Sequence, residues 1–331
     1  MSMARVTPSL QAALCEAETP PDLSVVIPAF NEEACIGESL RRVAAEIARL
    51  GLRGEIVVVD DGSRDATVAR AREAEVACPV LVLRLSRNFG KEQAMMAGLQ
   101  RARGRCVAIM DADLQEPIGA LETMLRHHAE GFEMVYAVRA DRADETRAKR
   151  LATRVFYALM GLGGGAPIPP DARDFRLMDR RVVDALCALP ERNRFMKGLF
   201  AWVGFRTLAV PVAMAPRGGG ASKFGPGRLL RLALTGVTAF SDWPLRVWTG
   251  VGFGLATLSI LYGLWIAAAT LVMGVAVPGW ATLAVAVFFL GGVQLISIGV
   301  LGEYLARVFT EVKARPGFIV AEEFEAGSAR R

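Results

Sequence analysis

The sequence predicts an α/β domain with a mostly parallel sheet, followed by an amphipathic interfacial helix and two transmembrane α-helices. Three observations lead there. Residues 23 to about 140 alternate short β-branched runs with longer helical patterns, the signature of strands joined by crossover helices. From Val247 to Gly302, 56 consecutive residues carry no Asp, Glu, Lys or Arg, whereas one helix needs about 20 apolar residues to cross a bilayer. A hydrophobic content of 53% and a mean hydropathy of +0.33 over 331 residues exceed what an ordinary soluble enzyme carries.

Taken in order, residues 1–21 read as a disordered lead-in. One early arginine and a weak apolar patch precede Cys15, and Leu14 stands where lipoprotein cleavage needs a small residue. Strands follow at Leu23 to Pro28, Glu55 to Asp60, Val80 to Leu85, Arg105 to Met110 and Met134 to Val138, with helices near Cys35 to Leu50, Asp65 to Ala74, Lys91 to Arg103 and Ile118 to Glu130. The domain extends over 22–225. Residues 226–244 place Arg228 and Arg231 among Leu229, Leu230, Leu232 and Leu234, which suits a helix lying on the membrane surface or a plain linker helix.

The spans fall near Leu245 to Met273 and Gly279 to Leu301, inside a 245–303 segment, with Pro278 and two glycines marking the turn. Arg217, Lys223, Arg228, Arg231 and Arg246 precede the first span, and Arg307, Lys313 and Arg315 follow the second. The turn has no positive charge, so both termini, including the 304–331 tail, are expected in the cytoplasm of a cell inner membrane. Trp243, Trp248 and Trp280 lie near the span ends, where amphipathic rings favour the interface.

Composition excludes several function classes. A balance of 39 basic against 34 acidic residues lacks the concentrated charge of a nucleic-acid binder. Five scattered cysteines, none in a C-x-x-C pair, argue against a disulfide framework. His127 and His128, the two histidines, read as solvated helix residues rather than parts of a zinc site or a Ser-His-Asp triad.

Ligands of open α/β sheets bind at the carboxyl ends of strands. Here those ends carry Pro28-Ala29-Phe30-Asn31-Glu32-Glu33, Asp60-Asp61-Gly62-Ser63 and Asp111-Ala112-Asp113-Leu114-Gln115. Any one has an innocent account: Asn31 as a helix cap, the second segment as a turn, the third as a helix start. Three acidic clusters at one edge repel unless a cation or donor joins them. Neither a P-loop nor a G-x-G-x-x-G follows a strand, so phosphate must be held otherwise. Asp-x-Asp with a nearby Gln offers hard oxygen ligands for Mg²⁺ or Mn²⁺, which keep positions for substrate phosphates.

Those segments, with Leu85-Ser86-Arg87-Asn88-Phe89-Gly90-Lys91, resemble family 2 glycosyltransferases of the GT-A fold. Asp174-Phe175-Arg176-Leu177-Met178-Asp179-Arg180, Asn193-Arg194-Phe195-Met196-Lys197-Gly198 and the two spans narrow the resemblance to bactoprenol (undecaprenyl-phosphate) glucosyltransferases, related to dolichol-phosphate mannose synthases. The resemblance covers roughly residues 22 to 320. It implies that Pro28, Phe30, Glu32, Asp60, Asp61 and Asp111 bind the nucleotide, with Lys91 either assisting there or an ordinary surface lysine. Asp111, Asp113 and Gln115 would hold the metal. It marks Asp174 as a catalytic carboxylate, with base, acceptor orienter, sugar binder and salt-bridge partner of Arg173 or Arg176 all open, and Asp113 as the second catalytic residue. Arg217-Gly218-Gly219-Gly220-Ala221-Ser222-Lys223-Phe224 is similar to the family's Arg-x-x-Gly-x-Ser-Lys-aromatic motif, with Phe224 where tyrosine is common. Arg217, Ser222 and Lys223 would then gather a lipid phosphate.

The expected activity is inverting transfer of a sugar, glucose from UDP-glucose first, onto polyprenyl phosphate. GDP-mannose, UDP-GlcNAc and modified arabinose are alternative donors. The expected partners are the UDP-sugar, the lipid acceptor, the bilayer and further copies of the chain, with a tetramer suggested by the resemblance. A processive polysaccharide synthase would carry Gln-x-x-Arg-Trp, which is absent. A membrane scaffold or translocation subunit, packed through Gly291-Gly292, is the reading from another class.

Overall fold

The structure, a computed structural model, describes residues 20–113, 115–140, 172–192, 194–213, 243–273 and 279–326. The chain divides into two units: Met1–Arg147, Ile168–Ser222 and Pro316–Arg331 form one, Ala148–Pro167 and Lys223–Arg315 the other.

The first unit opens with β1 (Leu23–Ala29), α1 (Ile36–Arg49), β2 (Gly54–Asp60), α2 (Thr67–Glu73), β3 (Val80–Leu85), α3 (Lys91–Arg101), β4 (Cys106–Ile109), α4 (Ala120–Ala129) and β5 (Met134–Arg139). These match the sequence expectation to within about two residues at each end, as helix and strand boundaries do. Four elements were not anticipated: β6 (Ala172–Asp179), α5 (Arg180–Ala188), α6 (Met196–Trp202) and β7 (Thr207–Val212). A last strand, β8 (Val320–Ala326), lies beyond the helices of the second unit.

The eight strands form one sheet in the order β7-β5-β6-β4-β1-β2-β3-β8. β3, β2, β1 and β4 are parallel to one another, and β6 runs antiparallel to both β4 and β5. Buried on both faces, these strands read as near-continuous apolar runs. On one face Val25 and Ile27 meet Ile36, Leu40, Val43 and Ile47 of α1. On the other, Gly98 of α3 lies so close to the Val26 side chain that a Cβ would collide with it. That close approach seats α3 on β1, with Lys91 at its first turn.

One buried polar network ties the opposite ends of β1, β2 and β4. Glu55, 2% exposed, accepts from Ser24 Oγ at 2.7 Å, from Arg103 N at 2.7 Å and from the Arg103 guanidinium at 2.8 Å, while Ser24 Oγ accepts from Gly104 N. Glu55→Ala would leave a buried hydroxyl and a backbone N–H unpaired, an expected loss of about 3 kcal/mol. Thermal unfolding of the full chain in detergent reads it as a fall in Tm, and an unchanged Tm would refute it.

Two expectations are corrected. The histidines are half-buried and engaged, not merely solvated: His127 Nδ1 lies 2.8 Å from Glu130, and His128 Nε2 lies 3.2 Å from Asp179 and within reach of Cys106 Sγ. The segment 304–331 is more than a tail, because its residues 320–326 return to the sheet as β8. There Glu322 pairs with Arg84 at 3.1 Å, Glu323 with Arg101 at 3.0 Å, and Arg72 lies 4.0 Å over the Phe324 ring.

In the second unit, α7 (Trp243–Met273) and α8 (Trp280–Val312) contact each other. α8 runs eleven residues past the expected end at Leu301. Among the described residues, one segment, Phe289–Val312, is long and apolar enough to cross a membrane, with mean hydropathy 1.5 and none of it buried within the chain. Gly250–Trp265 is a shorter apolar stretch. The expected interfacial helix, up to residue 242, and the turn at 274–278 lie outside the described residues.

Candidate active site

The carboxyl ends of β1, β2 and β4 share one edge because those strands are parallel. β6 runs the other way, so its first residues come to that same edge. The pairing of β4 with β6 sets Cys106 opposite Asp179 and Ile109 opposite Arg176. Continuing that register by two residues brings Asp111 across from Asp174.

A single ammonium joins them. Lys91 Nζ lies 2.6 Å from Asp111 Oδ1 and 2.5 Å from Asp174 Oδ2. Lys91 is therefore no idle surface residue, and Asp174 forms its ion pair with Lys91 rather than with Arg173 or Arg176. Burial alone would lower the Lys91 pKa, but the two carboxylates overcome it and hold the ammonium well above the ordinary lysine value. Burial pushes Asp111 up, against the pull of Lys91 and with the repulsion of Asp174 and Asp113. At Asp174 burial also pushes upward, yet Lys91, Lys197 and Arg176 together bring it below the usual carboxylate value.

Three further residues surround this bridge; sequence reasoning named Arg176 only as a possible salt-bridge partner of Asp174, and missed Glu92 and Glu116. Arg176 is buried, donates to the carbonyls of Arg173 and Asp174, and lies 3.5 Å over the Phe200 ring. Burial pulls its pKa down to about 10, with Asp174 opposing. Glu92 accepts from Met196 N at 2.7 Å, and burial raises it to about 7. Glu116, 5% exposed, is raised to about 8 by burial and then by Asp111, and among the described residues its Oε2 has no hydrogen-bond partner. Charged residues inside a strand or helix start give no periodic signal that would have marked them.

The loops after β1 and β2 are lashed together. Asn31 adopts φ 55°, donates its N–H to Ser63 Oγ and accepts from Arg64 N through Oδ1, so it ties loops rather than capping α1. Glu32 N donates to Thr67 Oγ1. Asp60, 1% exposed, accepts from Ser63 N. Asp61, expected among the nucleotide ligands, uses its two oxygens on Phe89 N at 2.7 Å and Gly90 N at 2.9 Å, holding the loop that leads into Lys91. Gly62 has φ +71°, and a Cβ there would stand 2.5 Å from the Arg87 carbonyl carbon, so the turn admits glycine alone without strain. Pro28 is buried within β1, whereas Phe30 beyond it is 42% exposed at the edge.

Asp113 is half-buried and accepts from Gln115 N at 3.1 Å. Among the described residues no three or more His, Cys, Asp and Glu side chains surround a common point. The donor set still fits a hard divalent cation: Asp111 and Asp174 already share one positive charge, the ligands are carboxylate oxygens, and an ion that keeps sites for phosphate and water needs few protein ligands. Leu114, Arg217, Ser222 and Lys223 lie outside the described residues.

The family model described as Glycosyl transferase family 2 matches residues 24–187, and that described as GtrB C-terminal hairpin matches residues 243–308. The chain is 45% identical over 299 residues to the SfII prophage-derived bactoprenol glucosyl transferase of Shigella flexneri, covering 90% of this chain and 97% of that one. It is 42% identical over 299 residues to the prophage bactoprenol glucosyl transferase homolog of Escherichia coli K12, covering 90% and 98%. Among solved structures it is similar to glucosyl-3-phosphoglycerate synthase from Mycobacterium tuberculosis in complex with Mn²⁺, UDP-glucose and phosphoglyceric acid, at 22% identity over 72% of this chain and 83% of that one, with a TM-score of 0.43.

Proposed function

The chain belongs to glycosyl transferase family 2, in the group of the bactoprenol glucosyl transferases, and is a glycosyltransferase; on that premise we propose that it moves glucose from UDP-glucose onto undecaprenyl phosphate at the cytoplasmic face of the membrane. The observation that best supports this site is the Lys91 ammonium shared by Asp111 and Asp174 at the carboxyl edge of the sheet.

The lipid phosphate oxygen attacks C1 of the sugar as the bond from C1 to the UDP β-phosphate oxygen breaks, so the anomeric centre inverts and the product is a β-linked polyprenyl phosphosugar. The attacking monoester, with a second pKa of about 6, is largely dianionic near neutral pH and has little proton to lose. Asp174, kept ionised and fixed by Lys91, orients the reacting groups. Phe30 stacks on the base, with Pro28 shaping the loop beneath it, and Glu32 and Asp60 receive hydroxyl or N–H donors of the nucleoside. When bound, Mg²⁺ or Mn²⁺ at Asp111, Asp113 and Gln115 supplies charge neutralisation for the departing diphosphate. Arg217, Ser222 and Lys223 gather the lipid phosphate.

Both α7 and α8 span the bilayer with the termini cytoplasmic, a placement supported by the uncharged run and by the cations flanking it. The large apolar side chains they expose, Leu271 at 88% and Leu295 at 71%, suit lipid or further copies of the chain in a homo-oligomer. The test is sugar transfer by the purified chain in detergent with undecaprenyl phosphate, Mn²⁺ and a panel of labelled UDP- and GDP-sugars. Lipid-linked label from UDP-glucose, lost with EDTA, is the expected result; label from a different donor alone would overturn the choice of glucose.

A further inference from the structure

Lys197 belongs to the Asn193-to-Gly198 segment, to which the proposed reaction assigns no role. It is half-buried at the start of α6 and, among the described residues, makes no hydrogen bond and no ion pair. Its surroundings are crowded with cations. Arg176, Arg173 and Lys91 all repel it; of the anions within its electrostatic reach, Asp174 is already held by Lys91 at 2.5 Å and Glu92 accepts from Met196 N.

The backbone that carries Lys197 is pinned to the site. Glu92 accepts from Met196 N at 2.7 Å, and Gln93 Nε2 donates to the Arg192 carbonyl at 2.8 Å. The first turn of α3 thus holds Asp111 and Asp174 through Lys91, and the main chain of Met196 and of Arg192 through Glu92 and Gln93. A half-buried lysine fixed by its main chain in a cation-rich corner, with no ion pair among the described residues, gains from an anion supplied from outside. The burial and the surrounding cations also draw its pKa below the ordinary lysine value, as expected of a group lacking its counter-ion.

We propose that Lys197 binds a phosphoryl oxygen of substrate at the Asp174 cluster, as a point charge with three donors suited to a non-bridging oxygen. The inference rests on the glycosyl-transfer reading, in which two substrates carry phosphate: the nucleotide diphosphate and the lipid monophosphate.

The experiment compares wild type with Lys197→Met and Lys197→Arg, each as the full chain in detergent. Calorimetric titrations use UDP with Mg²⁺ in one arm and a short-chain polyprenyl phosphate in the other. Loss of a charged hydrogen bond predicts affinity weakened about tenfold or more in Lys197→Met, with Lys197→Arg recovering most of it. Weakening in the UDP arm identifies the donor diphosphate, and weakening in the polyprenyl arm identifies the acceptor. Both affinities within about twofold of wild type would overturn the proposal. If Lys197→Met does not fold by thermal unfolding, Lys197→Gln undergoes the same titrations. A wild-type chain that binds UDP yet transfers no sugar would sink the transfer reading while leaving the UDP arm decisive for Lys197.

Discussion

The Asp174→Asn enzyme is expected to turn over about 10²- to 10⁴-fold more slowly than wild type, the range that removal of a positioned catalytic carboxylate covers. The expectation follows from three features of its place. Asp174 faces Asp111 across the Lys91 ammonium, at 2.5 Å from Nζ; it is brought to the sheet's carboxyl edge by the reversed direction of β6; and Lys91, Lys197 and Arg176 keep it ionised against its burial. Asparagine keeps the shape and one acceptor oxygen, so Lys91 retains Asp111 and the fold persists. The pH profile separates an orienting role from that of a general base. Because the folded-state pKa of Asp174 lies below its ordinary value, the charge is present at neutral pH and is lost only as pH falls through that depressed pKa. An orienting carboxylate therefore leaves the acid limb of the profile to the phosphate acceptor, near its second pKa of about 6. That limb should survive in Asp174→Asn at reduced height. A general base would take its own limb with it, and a variant retaining more than a tenth of wild-type kcat at every pH would remove Asp174 from the chemistry.

The strands β1 to β5 were legible because each is a run rich in β-branched residues, and Val25, Ile27, Ile56 and Val58 need no distant partner to declare themselves. The same local logic put Phe30, Asp60 and Asp111 at one edge. β6 escaped because its sequence, with Arg173, Asp174, Arg176 and Asp179 in eight residues, carries no apolar alternation, and Arg176 is buried against Phe200, the Met134 sulfur and two carbonyls. β8 escaped for a related reason. Its three glutamates look like a solvated tail until Arg84 and Arg101, more than 200 positions away, supply the opposite charges. The Lys91 bridge depends on β6 being antiparallel, so no reading that stopped at strand ends could find it. Asp61 illustrates the converse: a motif marks the residue, but its carboxylate serves the Phe89 and Gly90 amides, a local backbone demand that the motif does not express.

Asp113→Asn isolates the proposed cation from everything else in the site. The Lys91 bridge runs through Asp111 and Asp174, so an asparagine at Asp111 would disturb the protein's own ion pairs together with any metal. Asp113 stands outside that bridge. Its Oδ1 accepts from Gln115 N at 3.1 Å, a bond that the amide oxygen of asparagine reproduces, so the turn after β4 and the Tm in EDTA should match wild type. The negative charge alone is lost. If Asp113 helps to hold Mg²⁺ or Mn²⁺ against the departing diphosphate, turnover should fall by about 10²- to 10³-fold, as when one preorganised electrostatic contact to developing charge is removed. The remaining activity should respond weakly to EDTA. Binding provides a second readout that does not depend on catalysis: Mn²⁺ at 100 times its Kd adds about 2.7 kcal/mol to a folded state that alone binds it, and the Tm rise that reports this in wild type should shrink in Asp113→Asn. Wild-type turnover together with an undiminished Mn²⁺-induced Tm rise would take Asp113 out of the cation site, leaving Asp111 and its lysine as an internal ion pair instead of half of a metal centre.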